Sequence, residues 1–272
     1  MAGDSGRRHG HRRTRRSGPR LAGMPSRAMT DKVPQVTVLF WIVKVLTTGM
    51  GETASDFLVQ TIDPVIAVAA AFVALVAVLA FQFRLRRYVA WVYWSAAAMV
   101  SVFGTMAADV LHVQFGVPYA VSTAAFAGLL AVVLVAWWSV ERTLSIHSIR
   151  TSRREAFYWL TVLTTFALGT ATGDWTASAL GLGYLVSGLV FLVLIALPLV
   201  AWRWLGLNAV AAFWIAYVLT RPLGASFADW IGVGPQRGGL GFGTGPITLV
   251  LLAAIVVCVA VLARRERRLR AA

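Results

Sequence analysis

The chain has 272 residues, of which 58% are hydrophobic and only 13% charged, with 24 glycines. That composition excludes an ordinary soluble domain and points to an integral membrane protein. The formal net charge of +14 would suit a nucleic-acid binder. The basic residues, however, cluster in the N-terminal stretch and in the connections between apolar runs, which is the distribution the positive-inside rule produces, so no nucleic acid is expected as a partner.

Residues 1–32 are polar and strongly basic, with the run GRRHGHRRTRRSGPR. They lack the apolar run of a signal peptide and are expected to form a disordered cytoplasmic tail. Met24 and Met29 are alternative starts, and His9 and His11 stand among arginines that oppose metal binding. The first membrane half is expected over residues 36–139. Its first span, about 36–58, ends before a turn at Asp63-Pro64. The second, about 64–83, is nearly pure Ala, Val, Leu and Phe and closes at Arg84, Arg86 and Arg87. The third covers about 89–111, and Gly116 and Pro118 make the next turn. The fourth, about 118–139, ends in Trp137-Trp138, as suits a membrane interface.

A polar connector, 140–155, separates this half from the second, 156–263. The fifth span covers about 156–177, and Gly181 and Gly183 lead into the sixth, about 182–202. The seventh, about 208–231, contains Arg221-Pro222, where proline is expected to kink or break the helix. A glycine-rich loop follows at 232–245, then the eighth span, about 246–263, and a basic C-terminus, 264–272. Cys258 stands alone in the last span, so no intramolecular disulfide is expected.

The odd-numbered spans share one frame: Trp, nine residues, Gly, four residues, Asp. The copies are Trp41, Gly51, Asp56; Trp94, Gly104, Asp109; Trp159, Gly169, Asp174; and Trp214, Gly224, Asp229. Identical spacing in four copies marks a true internal repeat. On a helix, positions four, eight and twelve before the Asp lie on one side. Glu52, Thr48 and Lys44 occupy it in the first copy, Thr105 and Ser101 in the second, Thr170 in the third and Arg221 in the fourth. Beside this polar stripe run small pairs, Gly51/Ser55, Gly104/Ala108, Gly169/Gly173 and Gly224/Ala228, which let membrane helices approach closely. The even-numbered spans retain traces of kinship: GVPYAVSTAAF at 116–126 matches GLGYLVSGLVF at 181–191.

Lys and Arg place the tail, the connector, Arg203 and the C-terminus on one side, and only Arg237 opposite. The expectation is an all-α membrane protein of eight transmembrane helices: four parallel two-helix repeats, motif helices inside, both termini cytoplasmic. With its W-x9-G-x4-D copies, the stretch 36–263 resembles a family of bacterial integral membrane proteins built from the repeat of unknown function numbered 347. That resemblance implies a repeat architecture in the bacterial cytoplasmic membrane and carries no chemistry with it.

Lys44, Glu52, Asp56, Asp109, Asp174, Arg221 and Asp229 are the ionisable residues of the motif spans. They suit either internal pairing or a pathway for a cation or small polar solute. Glu52 and Lys44 occur only in the first copy and Arg221 only in the fourth, so the polar site is expected between spans one and seven. His112 is expected as a hydrated side chain at the helix end; the alternative is that it joins Asp56 or Glu52 around a metal, where an oxygen-rich set would favour a hard divalent ion. No catalytic motif is present and no enzyme activity is expected. Thr47, Thr165 and Thr220 are expected to hydrogen-bond their own helices. Two functions fit: a carrier or channel in the bilayer, or a non-transporting scaffold or regulator whose basic tail recruits a partner or anionic lipid. Cofactor, metal and oligomeric state are left open.

Overall fold

A computed structural model describes residues 31–271 as an all-α body; the expected tail lies outside the described residues, except for Asp31 and Lys32. The helices are α1 (Val38–Thr61), α2 (Pro64–Arg84), α3 (Ala90–Val113), α4 (Tyr119–Glu141), α5 (Ser152–Asp174), α6 (Gly183–Trp204), α7 (Ala209–Gly232) and α8 (Thr244–Ala271). Six of them, α2, α3, α4, α6, α7 and α8, are long and apolar enough to cross a bilayer. α1 and α5 are of similar length but richer in charged and hydroxyl side chains.

Side-chain caps set several of the helix starts. Asp63 accepts from the amides of Val65 and Ile66, with Pro64 as the first helical residue of α2. Asn208 does the same for α7, and Thr151 caps α5. Because Thr151 caps there, α5 starts four residues earlier than the expected span at 156, and Glu155 belongs to its first turn. α5 leaves Asp174 through a π-helical turn, Trp175–Ala179. α7 is continuous through Pro222, not broken there; the proline lies against Gly169 and Gly173 of α5, where no side chain obstructs it.

The glycine-rich loop folds back over the end of α7. The amides of Leu240, Gly241, Phe242 and Gly243 donate to the carbonyls of Trp230, Val233, Ile231 and Gly232 at 2.7, 2.8, 3.2 and 3.0 Å. These are carbonyls a helix end leaves without partners. Gly241 and Gly243 adopt φ +80° and +86°, a backbone region that only glycine enters cheaply. α8 then begins at Thr244, so Gly245 lies in its first turn and not in the loop.

The four motif helices form a closed ring: α1 packs on α3, α3 on α5, α5 on α7, and α7 on α1. Each remaining helix lies outside against the next motif helix: α2 on α3, α4 on α5, α6 on α7, and α8 back on α1. Two layers of contacts repeat around the ring. At one end, the aromatic residue preceding each motif Trp meets the next Trp. Phe40 meets Trp94 at 5.7 Å, Tyr93 meets Trp159 at 5.4 Å and Tyr158 meets Trp214 at 6.2 Å. Phe213 closes the circle on Trp41 at 5.6 Å.

Further along, each motif Gly receives the residue three before the Gly of the next helix. Gly51 faces Ser101, Gly104 faces Phe166, Gly169 faces Arg221 and Gly224 faces Thr48. A methyl group on any of these glycines would collide with that neighbour. The outer helices expose long apolar side chains such as Val65, Val132, Val193 and Leu249.

Candidate functional site inside the helix ring

Arg221 reaches the centre of the ring. It stands three residues before Gly224, and the bare Gly169 of α5 gives its stem room to pass. Its guanidinium, 0% exposed, donates to Glu52 Oε2 at 2.5 Å, to Thr170 Oγ1 at 2.8 Å and to the Thr48 carbonyl at 2.8 Å. It also donates to Thr105 Oγ1. Glu52, Thr105 and Thr170 are the residues that follow the motif Gly in the other three copies. The same position in the fourth copy is Ala225, buried and without a polar group. One cation therefore collects one polar side chain from each of the other three repeats.

Lys44 lies nearer the aromatic end of α1, 1% exposed. Among the described residues its ammonium has no hydrogen-bond partner, and it sits 3.9 Å from the Phe166 ring centre and 4.2 Å from that of Tyr217. Cation–π attraction offsets part of the cost of burying it. Tyr93 and Tyr158 share a hydroxyl–hydroxyl bond. The motif tryptophans Trp94, Trp159 and Trp214 are buried in this aromatic layer, with Trp41 at its edge.

Beyond Arg221, toward the ends of the motif helices, the acids gather. Glu52, Asp174 and Asp229 each bring a carboxylate oxygen within 4.8 Å of the others. Asp56 and Asp109 lie within electrostatic reach of this group. Arg237 stands at the mouth, in the turn after α7, and donates to the Tyr184 hydroxyl at 3.0 Å. Burial opposes its charge, but Tyr184, Asp56 and Asp229 outweigh burial and hold the guanidinium above its ordinary value. The field of the acids thus extends out to the loop.

The expected set is accounted for as follows. Lys44, Glu52 and Arg221 are buried within the ring, and Asp56, Asp109, Asp174 and Asp229 lie on its far side from the tryptophans. α1 and α7 are direct neighbours. His112 does not join the acids: its Nδ1 pairs with the Val117 carbonyl at 2.9 Å, and its ring stacks on Tyr119 at 3.6 Å. The turn after α3 folds the imidazole back, and among the described residues the converging carboxylates include no histidine. Thr47, Thr165 and Thr220 donate to carbonyls three residues earlier in their own helices, at 2.8, 2.6 and 2.6 Å.

A largely apolar groove of about 550 Å³ between α1, α6, α7 and the connector contains none of these acids; Trp41, Leu199, Trp202 and Phe213 line it, with Ser145, His147 and Thr220 as polar members. A second buried ionic group lies at the opposite end of the molecule. Lys32, 2% exposed, pairs with Glu155 at 2.6 Å, and Gln82 donates to the other Glu155 oxygen at 2.9 Å. Asp31 pairs with Arg150 at 2.8 Å. Asp31 and Lys32, placed in the tail by composition, therefore dock on the body, because a buried carboxylate requires a counter-charge. Gln82, the one amide in an otherwise apolar helix, was the available signal for this cluster.

The family model described as Repeat of Unknown Function (DUF347) matches the chain four times, at residues 39–88, 92–143, 157–207 and 212–268. Each match takes in one motif helix and the outer helix after it. No curated protein and no solved structure matches the chain.

Proposed function

Since the chain belongs to the family defined by the repeat of unknown function DUF347, and its four repeats make up nearly the whole body, we propose that the ring itself is the working part. It acts as a multi-pass carrier or channel-like path for a cation or small polar solute. In this reading all eight helices cross the bacterial cytoplasmic membrane, both termini face the cytoplasm, and the solute moves along the ring axis past the motif acids. The protein is not an enzyme; it moves its substrate unchanged.

The observation that carries this reading is the buried Arg221–Glu52 pair at 2.5 Å. A charged residue at the centre of a membrane helix costs about 2.5–3.5 kcal/mol even on insertion scales. A buried pair is often replaceable by apolar side chains without loss of stability. A ring built only for packing needs neither the pair nor the acids beyond it, and intramembrane charges facing a bundle interior are the usual marks of solute paths.

The test is flux into proteoliposomes, read with mono- and divalent-cation dyes and with labelled small polar solutes. The wild type is expected to carry at least one of them, and folded Glu52→Gln to carry none. Wild-type vesicles as tight as protein-free ones to every probe would remove the reading.

The docking of Asp31 and Lys32 on the body favours a second reading, a regulator or scaffold acting through the preceding basic stretch. Deleting residues 1–28 separates the two: a carrier keeps its flux, whereas a tail-driven regulator loses its effect.

A further inference from the structure

We propose that Glu52, Asp174 and Asp229 form the ligand set of a site for one hard divalent cation. The inference deepens the carrier reading and rests on it only for the role of the ion, not for its binding. The geometry comes first. Three carboxylate oxygens, from α1, α5 and α7, lie within 4.8 Å of one another. Oxygens on opposite sides of Ca²⁺ are separated by about 4.6–5.2 Å, and those across Mg²⁺ by about 4.0–4.2 Å, twice the respective metal–oxygen distances. Oxygens no more than 4.8 Å apart share a point about 2.8 Å or less from each, close to the roughly 2.3–2.6 Å of a Ca²⁺–oxygen bond, so a small inward movement of the side chains seats one ion of this class among the three.

The second observation is Asp229. It is 6% exposed, and its Oδ1 has no hydrogen-bond partner among the described residues. The large majority of buried polar side-chain atoms in folded proteins have a partner, from protein or ordered water; Asp229, which also brings an oxygen to the three-acid cluster, is therefore free to accept a ligand there. Neither Arg221 nor any neighbouring hydroxyl supplies it: the guanidinium donates to Glu52, Thr105, Thr170 and the Thr48 carbonyl.

Charge gives the ion's valence. Glu52, Asp174 and Asp229 carry three negative charges when ionised, and Arg221, bonded to Glu52 Oε2, returns one positive charge. A divalent ion balances that remainder of two, and Asp56 and Asp109, within electrostatic reach, add further attraction for a cation. The donor atoms give its class: all are oxygen, which suits Mg²⁺, Ca²⁺ or Mn²⁺ and disfavours ions that seek thiolate or imidazole. Arg221 also limits affinity. A fixed cation beside the site repels the bound one, so the ion can leave again, as a carrier requires. Arg221 with Thr105 and Thr170 then closes the site on the tryptophan side, while the loop bearing Arg237 borders the other.

The experiment titrates Mn²⁺ into the purified full-length protein in detergent and reads free Mn²⁺ by electron paramagnetic resonance, with Ca²⁺ and Mg²⁺ as competitors. One Mn²⁺ per chain is expected. Asp229→Asn and Asp174→Asn, each verified as folded by size-exclusion and circular dichroism, should each weaken binding at least tenfold, while Asp31→Asn at the opposite end should leave it unchanged. If the asparagine variants do not fold, protection of Asp229 and Asp174 from carbodiimide labelling by Mn²⁺ in the wild type supplies the same answer. No saturable binding of Mn²⁺, or equal affinity in wild type and both folded variants, overturns the site. Binding without flux in vesicles would leave the site standing and remove the carrier. Flux of a monovalent cation or neutral solute without Mn²⁺ binding would do the reverse.

Discussion

Gly51→Ala tests the ring most directly, since it adds one carbon at a place where two motif helices touch. The new Cβ would overlap the Ser101 side chain and lie 2.9 Å from the Ser101 carbonyl carbon. Carbon atoms rest at about 3.5–4.0 Å, and the Ser101 Cβ lies nearer still than the carbonyl carbon, so α1 and α3 must separate by more than roughly 0.6–1.1 Å. Rotating Ser101 relieves only its hydroxyl; its Cβ and backbone stay. Overpacking of this kind costs about 1–3 kcal/mol, while replacing helical Gly by Ala returns up to about 1 kcal/mol. The net expectation is a loss of about 1–2 kcal/mol. Gly128 provides the opposite case, because nothing lies within 4 Å of its would-be Cβ; Gly128→Ala should gain up to about 1 kcal/mol. Adding Ser101→Gly to Gly51→Ala removes the colliding side chain and should restore part of the loss. Reversible unfolding in mixed micelles measures all three. Gly51→Ala as stable as Gly128→Ala would refute the claim that the glycines set the helix spacing.

Arg221→Met should cost about 3–5 kcal/mol by leaving Glu52 buried without its partner. Adding Glu52→Gln should recover part of that, and strict additivity in the double-mutant cycle would show that the two side chains do not communicate. Reporter fusions after Arg84, Arg150 and Ala272 should read cytoplasmic, and those near Gly116 and Gly234 external; one reversed reporter breaks the eight-span topology.

The repeat, its helices and the polar stripe were legible because they depend on spacing within one helix, and spacing is local. Glu52, Thr105, Thr170 and Arg221 all stand on that stripe. What the stripe could not reveal was that Arg221 alone reaches the other three, since that depends on the empty space above Gly169 on another helix. The aromatic layer was visible in principle: Phe40, Tyr93, Tyr158 and Phe213 each precede a motif Trp. Its meaning needed the order in which helices meet. Pro222 and His112 show what local rules leave out: α7 runs unbroken through the proline, which lies against α5, and the Val117 carbonyl captures the imidazole. Lys32 was lost in a basic stretch because composition averages over neighbours, and its partner Glu155 lies 123 residues away.

The position three before each motif Gly holds Thr48, Ser101, Phe166 and Arg221 in turn. Four separate identical two-helix units could build the same ring, but they would place either no guanidinium or four at that depth. Four would crowd like charges round one axis with no room for them. A single cation on a fourfold-like axis is available only to units fused in one chain, free to diverge copy by copy. Covalent linkage here does more than hold the ring closed: it allows an off-symmetric interior inside a symmetric wall.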